Sequence, residues 1–224
     1  MTEAEWLAWD DPEPMFDLLP ADASDRRLRL FGVACCRHVE EHLWAGIGSP
    51  VAIKIAEEYA DQLTTEVELR AAQEAVESRL ELYPGEPVYD ASFWACSRPM
   101  NEAAWRCAFY AANCSTRPFV GKGSECDAEA AAARTTTTRA QAAVLRDIFG
   151  NPFRPPTFDP EWRTSMVVAL ARGMYESRDF SPMPIMADAI QDAGCEDADI
   201  LSHCRGTGLH VRGCWVVDLV LEKE

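Results

Sequence analysis

The chain has no apolar run of about 18 residues, the length a membrane-spanning helix needs, so no membrane span is expected. It is poor in positive charge. Its 21 Lys and Arg face 37 Asp and Glu, for a net charge of −16. Proteins that bind DNA or RNA gain most of their affinity by displacing counterions with Lys and Arg, so a nucleic-acid partner is not expected. The best local basic cluster is Arg26, Arg27, Arg29 and Arg37, diluted by Glu40 and Glu41. It reads as paired or solvated helix-surface charge. The start, MTEAEWLAWDDPEP, is acidic and lacks the basic, then apolar, pattern of a secretory signal, which points to the cytoplasm.

Most catalytic and metal-finger signatures are also missing. There is no CxxC, HExxH or GxSxG. Gly121-Lys122-Gly123-Ser124 resembles a phosphate-binding loop only superficially, because that motif needs Gly where Thr116 stands and Ser or Thr where Gly123 stands. No catalytic residue, cofactor or dedicated metal ligand is assigned from sequence.

What is present is helix punctuation. Thr2 with Glu5 and Thr65 with Glu68 have capping-box spacing. Ser24 or Asp25 opens a helix whose apolar positions Leu28, Phe31, Cys35, Val39 and Leu43 share one face. Ser49-Pro50 opens another, Asn101 caps a further one, and Asp127 to Phe149 reads as a long helix. Thr135 to Thr138 mark a plausible kink in it, since β-branched residues cost about 0.6 kcal/mol each relative to Ala. Tyr83 to Pro99, with three prolines, reads as loop with at most one helical turn. Gly150-Asn151-Pro152 is a stop. Asn151 to Pro160 reads as an extended Pro-rich strap fixed by Phe153 and Phe158. Short helices follow, capped by Thr164 or Ser165, Ser181-Pro182, and Asp197 or Asp199. Val216 to Leu221 has strand propensity, but a stripe of Val211, Trp215 and Leu219, with Val216 and Val220, favours helix. The expectation is an all-α fold, an irregular multi-helix bundle or stacked helical pairs. It forms a single domain over 1–224, with a possible sub-division near 150–160. Most of the seven Trp are assigned to the core.

Nine cysteines is an odd number, in a chain long enough to bury a sizeable core without disulfides, so reduced, largely buried thiols are expected. The chemistry-bearing residues concentrate at the end. His203, Cys204, Arg205, His210, Arg212 and Cys214 form the candidate functional surface. His210 and Cys214 are four apart and would share a helix face. With His203-Cys204 they could build a tetrahedral Cys/His site, although the spacing matches no known finger. Cys204 between His203 and Arg205 could have a lowered thiol pKa if the side chains converged. The plainer reading is buried thiols and a capped helix end.

The segments TEAEWL (Thr2–Leu7), SDRRLRLFGVACCR (Ser24–Arg37), LRDIFGNPFRP (Leu145–Pro155) and ADAIQDAGCEDADILSHCRGTGLHVRGCWVVDLVL (Ala187–Leu221) resemble a multi-copy family of bacterial proteins without an assigned activity. The resemblance implies a cytoplasmic, helix-rich domain and carries over no site, substrate or cofactor. Two functions stay open. One is a non-enzymatic protein-binding or scaffold module, whose partner would present a basic or apolar surface. The other is a metal-binding or enzymatic domain built on the C-terminal Cys/His/Arg segment.

Overall fold

Capping side chains set the helix starts. The computed structural model describes residues 2–19, 23–39, 49–98, 100–116 and 127–223, and every regular element among them is helical. The chain divides into two compact units, Met1–Ala142 and Ala143–Glu224. The division falls inside a helix, several residues before the Pro-rich stretch at 151–160. No helix among the described residues is long and apolar enough to cross a membrane.

The first unit holds α1 (Glu3–Ala8), α2 (Glu13–Phe16), α3 (Asp25–His38), α4 (Ser49–Ala60), α5 (Glu66–Leu82), α6 (Pro87–Cys96), α7 (Met100–Thr116) and most of α8 (Asp127–Phe149). Both capping boxes form, Thr2 with Glu5 and Thr65 with Glu68. Hydrogen bonds from Thr64 and Thr65 hold the Glu68 carboxyl at about 2. Ser24 caps α3, whose Leu28, Phe31 and Cys35 are buried, as is Val39 just past its end. Leu43 lies outside the described residues. At Gly32 the approach of α7 is so close that a Cβ there would lie 3.1 Å from the Cys107 sulfur.

The basic cluster is engaged internally. Arg26 pairs with Asp61 and Arg37 with Glu57. Arg29 is buried, donates to the carbonyls of Ala95 and Ser97, and lies over the Tyr59 ring. A guanidinium taken out of water must keep its donors satisfied, and here backbone carbonyls do that.

Three expectations are corrected here. The Tyr83 to Pro99 loop contains α6. Its prolines fall at or outside the ends, with Pro87 in the first turn where no donor is lost, and Val88, Ala91 and Ala95 supply a buried face. α8 runs unbroken through the threonines, each hydroxyl donating to a carbonyl three or four residues back. Of the tryptophans, Trp6 and Trp215 are buried, whereas Trp94, Trp105 and Trp162 are only partly covered, Trp9 is exposed and Trp44 lies outside the described residues. Trp94 is screened by the Arg106 guanidinium 4.6 Å from its ring. α7 starts at Met100, and the residues of the phosphate-loop look-alike at 121–124 lie outside the described residues.

The second unit holds the end of α8, a 3-10 turn at Pro160–Trp162, α9 (Ser165–Ser177), α10 (Met183–Asp192), α11 (Ala198–Arg205) and α12 (Trp215–Leu221). Gly150 terminates α8 at φ +68°, the left-handed turn expected of it. Thr164 caps α9, and Asp197 caps α11 through the amides of Asp199 and Ile200. The strap holds through Phe158, which packs on the core beside Trp162, while Phe153 is exposed. The ambiguous terminal segment is helical from Trp215, with Trp215, Val216 and Val220 in the core. Arg163 closes the far end of α12. It donates to the carbonyls of Leu219 and Val220 and pairs with Glu222.

Candidate metal centre

Four side chains from three segments of the second unit converge. Asp147 stands in the last turn of α8, and His203 in the last turn of α11. His210 lies in the turn before α12, and Cys214 is the residue that precedes that helix. One donor atom from each lies within 4.8 Å of all the others.

Separations within the cluster are short. His203 Nε2 is 3.2 Å from Cys214 Sγ and 3.2 Å from Asp147 Oδ1. His210 Nδ1 is 2.7 Å from Asp147 Oδ1 and 3.9 Å from Cys214 Sγ. The Asp147 carboxylate has its second oxygen, Oδ2, fixed by the Val211 amide at 2.9 Å. The two imidazoles meet edge to face, with centroids 4.9 Å apart, and the Trp215 indole closes the far side of His203 at 5.0 Å.

Burial governs the electrostatics. The Cys214 thiol is pushed well above its usual range, first by burial and then by the Asp147 carboxylate. Burial alone would raise the Asp147 carboxyl, but hydrogen bonds and charge from both histidines outweigh it and leave the pKa lowered. The carboxylate is therefore the anionic anchor of the cluster.

The orientation of the rings separates two chemistries. A Cys-His-Asp relay needs the thiol on one imidazole nitrogen and the carboxylate on the other. Here each histidine turns the same nitrogen toward both groups, Nε2 of His203 and Nδ1 of His210. The four donors gather in one small volume, within 4.8 Å of one another, as ligands around an ion do. In a tetrahedral zinc site, bond lengths of about 2.0–2.3 Å place ligand atoms roughly 3.3–3.6 Å apart. Of the six separations among four donors, three of the four given above lie within a few tenths of an ångström of that range. The fourth, His210 to Asp147, is a hydrogen bond that would open by about half an ångström to admit an ion of that size.

Of the residues singled out from sequence, His203, His210 and Cys214 meet. Cys204 is buried nearby, its thiol pushed up to about 12 by burial and then by Asp147, but it is not one of the four. The arginines turn away: Arg205 binds Asp188 and Gln191 on α10, and Arg212 donates to the Tyr175 carbonyl on α9. The lowered Cys204 thiol, conditional on convergence with His203 and Arg205, does not arise; the thiol is buried and raised, as the plainer reading has it. Asp147 was not anticipated. Its signal is present in the sequence: with Val144 and Ile148 it falls on the apolar face of α8, and an acid in a last turn opposes the helix dipole. Such a residue needs a partner to offset both costs.

The chain matches no family model, no curated protein and no solved structure.

Proposed function

We propose that the second unit is a metal-binding module in which Asp147, His203, His210 and Cys214 hold one divalent transition-metal ion, best suited to zinc. This takes up the second of the two functions left open by the sequence. The observation that carries it is the convergence of four donors of ligand type on one point, within 4.8 Å of one another. Mixed nitrogen, sulfur and oxygen donors in a tetrahedral set suit zinc and disfavour calcium and magnesium, which take oxygen ligands.

Charge balance supports the same reading. A thiolate, a carboxylate and two neutral imidazoles supply two negative charges, which a divalent ion neutralises in a buried site. The ion also accounts for a thiol that burial would otherwise keep protonated, because a coordinating thiol loses its proton to the metal's field. The role that fits is structural and non-enzymatic. With four protein donors the set is complete, whereas catalytic zinc sites keep a position open. The bound ion would clip the end of α8, the end of α11 and the start of α12 together.

Elemental analysis of purified full-length protein tests the reading. One equivalent of zinc is expected in the parent, and none in Cys214→Ser or Asp147→Ala. Parent protein free of zinc, and unable to take it up after reduction, would remove the proposal.

A further inference from the structure

Resting on the zinc reading, we infer that His203 is the exchangeable corner of the centre, the side from which metal loads and the position that a small exogenous nitrogen donor can occupy.

The four donors are not equally held. The side chains of Asp147 and His210 are 3% and 7% exposed, against 19% for His203, and Cys214 is fully buried. His203 is the one donor with an edge toward water.

The other three are tied together through one short stretch of backbone. His210 and Cys214 bracket a turn closed by the Cys214 amide on the Val211 carbonyl at 3.0 Å. The Val211 amide grips Asp147. Arg212 pins the turn to α9, with Nε 2.7 Å from the Tyr175 carbonyl and the guanidinium over that ring. Each of these bonds survives loss of the ion, so an oxygen, a nitrogen and a sulfur remain gathered as a three-donor base.

His203 lies outside that turn, in the last turn of α11. Among the described residues its ring bonds only with Cys214 and Asp147, inside the cluster, and otherwise rests on the faces of His210 and Trp215. It sits at the end of α11, before the exposed stretch Gly206-Thr207-Gly208. A rotation at that helix end would withdraw the ring without disturbing the base. Three protein donors and one vacant position is the arrangement of zinc sites that accept an outside ligand. His203 therefore acts as an internal plug on such a site.

Cobalt(II) substitution of the full-length protein tests this, because its absorption reports both coordination number and the thiolate bond. The comparison is between His203→Ala and His210→Ala, each with and without free imidazole. His203→Ala should keep cobalt and its thiolate band but release the ion to a chelator at least roughly 10-fold faster, since loss of even a supporting group costs a metal site about 10–100-fold in affinity. Imidazole should restore the parent spectrum and slow that release. His210→Ala should lose the ion, and imidazole should not restore it. His203→Asn, a smaller polar change, gives the same comparison if the alanine variant does not fold by circular dichroism. If the parent binds cobalt but the two histidine variants behave alike, the exchangeable corner is wrong and the zinc reading stands. If the parent takes up neither cobalt nor zinc, both fall.

Discussion

Two cysteine-rich cores can be compared within this chain. The first unit buries Cys35, Cys36, Cys96, Cys107 and Cys114, and the second buries Cys195, Cys204 and Cys214. In the first, the sulfurs behave as small apolar groups with a weak donor. Cys96 lies against the Ala52 carbonyl and Cys107 against the Ala91 carbonyl. Arg29, the one buried cation among the described residues there, is satisfied by carbonyls as well. In the second, Cys214 faces two imidazoles and a carboxylate. Cysteine content therefore does not mark a site. What marks it is the chemistry of the neighbours, and a protein can use one residue type as filler in one core and as a donor in another.

The largest expected break of this comparison comes from the two buried tryptophans. Trp6→Ala and Trp215→Ala should each cost about 3–5 kcal/mol in denaturant unfolding, a large share of a domain's stability. Only Trp215→Ala should also weaken zinc retention against a chelator, because its indole packs against the His203 ring. Equal zinc retention in the two variants would detach Trp215 from the centre.

A smaller effect concerns acid. The Asp147 carboxyl is lowered from its ordinary 3.8 by the two histidines, although burial opposes this. A lowered carboxyl contributes stability that is fully present above its unfolded value and is lost as pH falls through its folded value. In metal-free protein, Asp147→Asn should therefore remove about 1.5–3 kcal/mol at neutral pH, the range for hydrogen bonds to charged groups. The gap to the parent should narrow below about pH 4, where the unfolded carboxyl protonates. Urea unfolding of both proteins across that range reads the gap. A constant gap would show that the charge does not matter there.

The smallest effect should not distinguish the units. Thr65→Ala in the first and Asp197→Ala in the second each remove a helix cap, and each should lower stability by about 1 kcal/mol in thermal unfolding. A much larger loss for Asp197 would mean that α11 depends on its cap to hold His203 in place.

Much of the helical pattern was legible because its signals are local. Capping boxes, prolines in first turns and the glycine at 150 act within four residues of where they are read. α6 was not legible because a count of prolines does not say where in a helix each one falls, and Pro87 falls in a first turn that tolerates it. The unbroken α8 escaped because propensity penalises threonine, while its hydroxyls bonded back to the helix. Within the site, His203, His210 and Cys214 were visible as a sequence cluster. Asp147 was not, since it stands 63 positions from His210 and meets it only through the fold. The arginines illustrate the converse, close in sequence yet pointing to other helices.

α12 carries a last consequence. It has seven residues, fewer than the roughly 12–15 that an isolated helix needs to outlast its nucleation cost. Its final carbonyls are taken by Arg163, which stands just ahead of α9. The helicity of this segment is thus not a property of its own letters. It rests on the burial of Trp215, Val216 and Val220 and on a cation more than fifty positions away, neither of which the excised seven residues would keep.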